Sequence, residues 1–240
     1  MNKKFVIGTF SGIGIYAHWT LLVMLAGIFG WFLWQSFSLT IALAGLLLVS
    51  TLFGCVILHE LGHALTAKHF GISTLDITMY PIGGVARLEG MPKEPRHELL
   101  IAIAGPAVNL AIAAVLFVVL IATGRSIAPL FFIANEPNVL GSLMWMNLAL
   151  VGFNMLPAFP MDGGRVLRAG LATKISYKNA TRIASYVGQG MAVLFAIVAV
   201  FPIPFFTTFN PVLLFIALFV FTAARQEAAY VLQSEEEPAV

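Results

Sequence analysis

The stretch Ile57-Leu58-His59-Glu60-Leu61-Gly62-His63-Ala64 decides how the chain folds and what surrounds it. It carries the pattern H-E-x-x-H. On an α-helix, residues four apart lie roughly 40° apart around the axis and about 6 Å apart along it. The imidazoles of His59 and His63 can therefore bind one metal ion, while Glu60 can reach a water on that ion. This spacing is typical of a zinc hydrolase with two histidine ligands and a glutamate as general base.

The setting of the motif is an apolar helix. Residues 41–58 (IALAGLLLVSTLFGCVIL) carry no charge, which predicts a transmembrane span with the motif inside it or at its cytosolic end. An ionisable residue at the centre of such a helix costs roughly 2.5–3.5 kcal/mol on insertion scales. Three titratable groups within five residues therefore indicate a functional site, although a chance motif at a water-facing helix end stays open at this point.

Composition places the chain among membrane proteins. Of its 240 residues, 60% are hydrophobic and 10% are charged, and the mean hydropathy is +0.94. This length holds about six spans of ~20 residues, without a sizeable soluble domain. A net charge of +2 gives no indication of nucleic-acid binding, and Cys55, the single cysteine, excludes a disulfide framework. No heptad repeat indicates an oligomer, so the oligomeric state is unknown from the sequence.

The sequence predicts an all-α polytopic membrane protein with a small membrane-associated, re-entrant β-sheet. Two short strands are expected at residues 5–7 and 13–16, and alternation around Pro81-Ile82-Gly83-Gly84 predicts a β-hairpin over residues 72–90. One protease domain is expected over residues 1–232, followed by a disordered tail over 233–240. The six predicted transmembrane helices cover residues 19–37, 40–70, 99–123, 139–156, 184–201 and 210–230.

Lysine and arginine predict the topology. With six spans and a cytosolic N-terminus, the outside loops hold only Arg125. The cytosolic segments hold Lys3, Lys4, Lys68, Arg87, Lys93, Arg96, Arg165, Arg168, Lys174, Lys178, Arg182 and Arg225. This bias predicts a multi-pass protein of the cell membrane with both termini in the cytosol and with His63 and Asp162 toward the cytosolic side.

Two further polar residues stand out. Asp162 follows the fourth span, between two prolines and two glycines that stop the helix and allow a sharp turn. Its carboxylate is a candidate third zinc ligand, and a turn residue or a partner of Arg165 is the alternative. Asn109 lies inside the third span and needs a partner from another helix.

Together, His59-Glu60-x-x-His63 and Asn154-x-x-Pro157-x-x-Pro160-x-Asp162-Gly163-Gly164 resemble the site-2 protease family, the intramembrane zinc metalloproteases of peptidase family M50. The resemblance extends from Ile13 to about Arg168 and includes Ala104-Gly105-Pro106-Ala107-x-Asn109. No inserted PDZ domain and no following CBS pair are expected, so regulation by those modules is not expected either.

The resemblance implies an endopeptidase that cleaves transmembrane segments of membrane-anchored proteins, such as anti-sigma or pro-sigma factors, within the lipid bilayer. It implies one Zn²⁺ per chain on His59, His63 and Asp162, with Glu60 as general base and Asn154 stabilising the substrate or the oxyanion. The predicted substrate-binding residues are Gly83, Gly84, Val85 and Asn109.

Two other functions stay open. A metal transporter also uses intramembrane histidine and aspartate residues, but it needs polar groups along the whole depth of the membrane. A catalytically silent binder of membrane helices would have no need of the base Glu60.

Overall fold

A computed structural model gives the architecture of the chain. It describes residues 4–90, 92, 94–128, 132–133, 136–201 and 209–234. Within these residues the helices are α1 Trp19–Ser36, α2 Leu39–His69, α3 Pro95–Ala122, α4 Val139–Asn154, α5 Asp162–Ala172, α6 Tyr177–Val200 and α7 Pro211–Ser234. The strands are β1 Lys4–Phe10, β2 Ile13–His18, β3 Thr74–Tyr80, β4 Gly83–Leu88, β5 Phe132–Ile133 and β6 Glu136–Pro137.

The helices make this a multi-pass membrane protein. Among the described residues, five helices are long and apolar enough to cross a membrane, namely α1, α2, α3, α6 and α7. The predicted fourth span is the 16-residue helix α4. At a rise of 1.5 Å per residue it is about 24 Å long, which is less than the ~30 Å hydrocarbon core. Six spans are therefore not confirmed.

The helix ends differ from the predicted spans by four residues or more at three places. Helix α3 begins at Pro95 rather than 99, since proline is well suited to a first helical position. Helix α6 begins at Tyr177 rather than 184, after Ser176, whose hydroxyl accepts a hydrogen bond from the Asn179 N–H. Helix α7 continues to Ser234, so residues 233 and 234 are helical, and the rest of the predicted tail lies outside the described residues.

The chain divides into two compact units. One unit comprises Met1–Pro92 with Ala104–Gly152, and the other comprises Lys93–Ile103 with Phe153–Val240. The expected single protease domain over residues 1–232 stays a prediction.

The first unit holds a four-stranded sheet in the order β1-β2-β3-β4. The two short strands predicted near the N-terminus are present as the antiparallel pair β1–β2. The predicted hairpin over residues 72–90 is present as β3–β4, and parallel pairing of β2 with β3 joins the two pairs. One face of the sheet is apolar and packs on α1 and α2 through Ile15, Ile77, Met79 and Leu61. This burial fixes the sheet against the helix that carries the H-E-x-x-H motif.

A charged pair lies on the opposite face of this sheet. The Arg87 side chain donates to both carboxylate oxygens of Asp76, with Nε to Oδ1 at 2.7 Å. Lys4 Nζ lies 3.6 Å from the same carboxylate. The hydrogen bond from Arg87 holds the pKa of Asp76 below its ordinary value, so this carboxylate stays charged in the folded sheet.

The second unit holds α5, α6 and α7 around a buried cation. Arg168, 1% exposed, donates from Nε to Glu98 Oε1 at 2.8 Å and from Nη1 to Glu227 Oε1 at 2.5 Å. Its guanidinium carbon lies 4.9 Å from the Phe159 ring centroid and 5.0 Å from that of Tyr177. A buried guanidinium is stable only with such partners, so these contacts tie the start of α3 to α5 and α7.

Candidate metal centre

The two histidines of the motif face each other on α2. Because α2 is helical from Leu39 to His69, His59 and His63 lie one turn apart on the same face. Their Nε2 atoms are 3.1 Å apart, and their rings meet at 81° with centroids 4.7 Å apart. Both side chains are buried, with 5% and 6% of the residue exposed. The predicted convergence of these two imidazoles is confirmed.

This arrangement fits a zinc ion. With Zn–N bonds of 2.0–2.1 Å and tetrahedral angles, two nitrogen ligands of one ion lie roughly 3.3 Å apart. The observed separation of the two Nε2 atoms is 3.1 Å. Imidazole nitrogen is also a donor that zinc prefers. The pair therefore offers two of the three protein ligands that a catalytic zinc site requires.

A hydrogen bond from another helix orients the first of these rings. His59 Nδ1 and Asn109 Oδ1 are 2.5 Å apart, and Asn109 lies on α3 with 0% of the residue exposed. The prediction that Asn109 has a partner on another helix is confirmed, since it contacts His59 on α2 and Asn147 on α4. The bond leaves Nε2 of His59 as the ring atom that faces His63.

Two glycines allow α2 and α3 to approach closely at this level. A Cβ added to Gly105 on α3 would lie 2.6 Å from His59 Nε2 and closer still to His63 Nε2. A Cβ added to Gly62 on α2 would lie 2.9 Å from the carbonyl oxygen of Ala104. Small residues at such crossings are how membrane helices pack at short distance. The space between the imidazoles and the α3 backbone therefore depends on Gly105.

The Glu60 side chain lies against the backbone of β4. It is half-buried, and a Cβ added to Gly84 would lie 2.6 Å from its Cγ and 3.2 Å from Oε1. Gly83 adopts a φ of +135°, which favours glycine, and Val85 is 47% exposed. Strand β4 ends the sheet order, so its outer edge pairs with no strand in the described part of the chain. An open strand edge thus runs beside the candidate base.

The second unit carries the remaining predicted site residues. Asp162 is the first residue of α5 and is 8% exposed, and Asn154 is the last residue of α4 and is half-buried. The predicted turn after Asp162 is wrong, because Gly163 and Gly164 lie in the first turn of α5. A Cβ on Gly164 would lie 2.7 Å from the Ala158 carbonyl carbon, so glycine is needed for packing there.

Sequence reasoning missed two residues of the centre. Asn147 lies in the predicted fourth span without an assigned role, yet it is fully buried and bonded to Asn109. Gly105 belongs to the pattern Ala104-Gly105-Pro106-Ala107-x-Asn109, which by itself does not predict that it lies beside the histidines. The available signal was the set of asparagines inside apolar spans, since each must find a polar partner.

Comparison with known proteins shows which family the chain resembles. The model of peptidase family M50 matches residues 47–128 and 133–196. A zinc metalloprotease of Methanocaldococcus jannaschii is 38% identical over 232 residues, covering 96% of this chain and 62% of the relative. Stage IV sporulation protein FB of Bacillus subtilis is 25% identical over 198 residues, covering 81% of this chain and 65% of the relative.

The fold is also similar to a solved structure. The site-2 protease from Methanocaldococcus jannaschii matches with a TM-score of 0.63 and 37% identity, covering 94% of this chain and 95% of that one. The chain spans less than two thirds of the length of the two relatives compared above.

Proposed function

The chain belongs to peptidase family M50, and from this premise we propose that it is a zinc-dependent intramembrane endopeptidase. The observation that carries the proposal is the pair of buried imidazole nitrogens 3.1 Å apart. They lie beside Glu60 in a helix that is long and apolar enough to cross a membrane. A hydrolytic metal site at this position acts on bonds of other membrane-embedded chains.

We propose His59, His63 and Asp162 as the ligands of one zinc ion. All three side chains are buried, and each offers one metal-ligating atom. Two neutral imidazoles and one carboxylate form a ligand set known from catalytic zinc sites, which leave a fourth position for water or substrate. The carboxylate also offsets part of the charge of the ion. When bound, zinc lowers the pKa of its water to about 7 and polarises a substrate carbonyl.

Glu60 is the proposed general base. Its carboxylate takes a proton from the attacking water and returns it to the nitrogen of the leaving amine. It follows His59 directly, so its side chain is turned about 100° around the helix from that ligand and is not itself positioned as one. The amide of Asn154 is the proposed group that binds the substrate or the developing oxyanion.

Strand β4 is the proposed binding site for the substrate backbone. A helical segment has its carbonyl groups engaged in hydrogen bonds, so a substrate must become extended before hydrolysis. The outer edge of β4 can then pair with it as an added strand. Gly83, Gly84 and Val85 are the proposed contacts, since Gly84 brings that strand next to Glu60. Asn109, the fourth predicted substrate contact, is fully buried and hydrogen-bonded to His59 and Asn147.

Replacing Gly84 by alanine tests this arrangement. The new methyl would meet Glu60 Cγ at 2.6 Å, so the carboxylate must move. A displacement near 1 Å in a catalytic group can cost about 100-fold in rate. We expect cleavage to fall by about that factor while zinc content stays unchanged. Gly8→Ala is the matched control, because Gly8 lies in β1 with nothing within 4 Å of its added Cβ. Wild-type cleavage by Gly84→Ala would contradict the contact.

The proposed partners are the lipid bilayer and single-span membrane proteins, with anti-sigma and pro-sigma factors as the proposed class of substrate. The excess of lysine and arginine in the predicted cytosolic segments supports cytosolic termini and an active site on the cytosolic side. Water would then reach Glu60 from the cytosol.

Reconstitution tests the proposal against its alternatives. The purified chain is placed in liposomes with single-span membrane proteins, and mass spectrometry maps any cut, with and without a zinc chelator. We expect zinc-dependent cuts inside the membrane segment. The same liposomes carry an internal zinc-sensitive dye. Zinc uptake without cleavage would support a transporter, and co-purification of uncut membrane segments would support a silent binder.

A further inference from the structure

A line of hydrogen bonds connects the backbone of α4 to the first histidine of the motif. The Leu143 carbonyl oxygen accepts from Asn147 Nδ2 at 2.9 Å, and Asn147 Oδ1 accepts from Asn109 Nδ2 at 2.7 Å. Asn109 Oδ1 lies 2.5 Å from His59 Nδ1. Both asparagines have 0% of the residue exposed, so no bulk water competes for these groups.

The backbone carbonyl sets the direction of every bond in this line. A carbonyl oxygen only accepts, so Asn147 must present its NH₂ group to Leu143 and its oxygen to Asn109. Asn109 must then present its own NH₂ group to Asn147 and its oxygen to His59. Because Asn109 Oδ1 can only accept, the His59 nitrogen that it contacts, Nδ1, must be the donor. His59 therefore carries its proton on Nδ1.

A reversed arrangement would be costly. Turning the Asn147 amide would place its oxygen against the Leu143 carbonyl oxygen. It would also remove the donor that lies 3.5 Å from Cys55 Sγ. Two acceptors facing each other in a buried site leave both without a hydrogen bond, which costs roughly 1–3 kcal/mol for each group. The line is thus held in one direction by groups that do not themselves touch the metal.

We propose that Asn109 and Asn147 are positioning residues that hold His59 in the tautomer whose Nε2 lone pair is available to zinc. The inference builds on the proposed metal site. It assigns Asn109 to His59 rather than to substrate, because both polar atoms of its amide are engaged and the residue is fully buried. Such outer partners of metal-bound histidines fix the ring and raise its basicity.

The test measures metal affinity, not turnover alone. Wild type, Asn109→Leu, Asn109→Asp and Asn147→Leu are purified as full chains in detergent. Zinc affinity is measured by chelator competition, and Co²⁺-loaded samples give the visible spectrum. Ser142→Ala is the control, since Ser142 is a buried polar residue on α4 outside the line. We expect Asn109→Leu to lose 10- to 100-fold in zinc affinity, with an altered cobalt spectrum.

The other variants distinguish the role of Asn109 as hydrogen-bond acceptor for His59 from its role in helix packing. Asn109→Asp keeps an acceptor for His59 but places an oxygen against Asn147 Oδ1. It should therefore lose thermal stability while its zinc affinity stays within about threefold of wild type. Asn147→Leu frees the Asn109 amide to turn, so a smaller loss is expected than for Asn109→Leu. When Asn147→Leu is combined with Asn109→Leu, it should cause little further loss of zinc affinity, because both changes break the same line of hydrogen bonds.

The outcomes also distinguish this inference from the proposed function. A wild-type chain that binds no zinc would overturn the metal site itself. Zinc binding by wild type with equal affinity in Asn109→Leu would overturn the positioning role alone. If Asn109→Leu does not fold, equal zinc affinities and cobalt spectra of Asn147→Leu and wild type would overturn it, as would loss of zinc by Asn109→Asp.

Discussion

Replacing Glu60 by glutamine is expected to abolish cleavage while leaving zinc binding at the wild-type level. Glutamine keeps the size of the side chain and its contact with Gly84. It cannot take a proton from water or return one to the leaving amine. Positioned acid–base groups contribute about 10²- to 10⁴-fold to rate, and we expect a loss in that range or beyond.

The zinc expectation follows from the place of Glu60 on α2. The two imidazoles face each other at 3.1 Å between their Nε2 atoms, whereas Glu60 is directed toward β4. Changing its charge leaves the two histidine donors intact. Glu89→Gln is a matched control, because Glu89 is an exposed carboxylate directly after β4. His63→Ala should lose both zinc and cleavage.

Comparison of membrane proteomes gives the measurement in cells. Wild type and Glu60→Gln are expressed in the native host without its own copy, and uncut single-span fragments are sought that accumulate only with the variant. Purified Glu60→Gln is assayed for zinc content in parallel. Retained cleavage by a zinc-loaded Glu60→Gln chain would rule out Glu60 as the base. Loss of zinc would instead make it part of the metal site.

The local sequence pattern was sufficient to predict single helices and hairpins between neighbouring strands. Helices α1 and α2 begin and end within one residue of the predicted spans. Helix α1 is a charge-free apolar run, and α2 lies between Ser38 and Gly71, so the sequence marks their ends. The hairpin β3–β4 follows from alternation around Gly83-Gly84. The parallel pairing of β2 with β3 did not follow, since it joins strands separated by α1 and α2.

Glycine was the hardest residue to interpret from sequence. The sequence predicts a turn at Gly163 and Gly164, but both lie in the first turn of α5, where the backbone of residues 155–159 leaves no room for a Cβ. Gly105 on α3 is also a glycine that permits close approach, since the imidazoles of His59 and His63 leave no room for a Cβ there. The sequence alone does not distinguish a glycine that permits close approach of two backbones from one that permits a turn. Only the structure distinguishes the two.

The convergence of the two histidines was predictable for a different reason. The helical repeat alone brings His59 and His63 to one face, so their convergence needs no tertiary information. The direction of the Asn147–Asn109–His59 line depends on three helices and one backbone carbonyl. No spacing rule contains that information. The sequence predicts that polar groups inside apolar spans need partners, and the structure gives those of Asn109 and Asn147.

Replacing Gly105 by alanine is expected to eliminate zinc binding and, with it, cleavage. The added Cβ would lie 2.6 Å from His59 Nε2 and also 2.6 Å from His63 Cε1. It would thus occupy the space beside the two nitrogens that are to share one ion. The rings cannot both keep their present rotamers, and we expect zinc affinity to fall by more than about 100-fold, as for loss of a ligand.

Folding should survive the Gly105→Ala change, because alanine favours a helix over glycine by about 1 kcal/mol. Gly54→Ala is the matched control, as Gly54 lies on α2 with nothing within 4 Å of its added Cβ. Gly62→Ala separates helix spacing from blockage, since its Cβ would meet the Ala104 carbonyl oxygen rather than an imidazole. It should lower thermal stability more than zinc content. Stoichiometric zinc in a folded Gly105→Ala chain would show that the metal site does not lie between these histidines and α3.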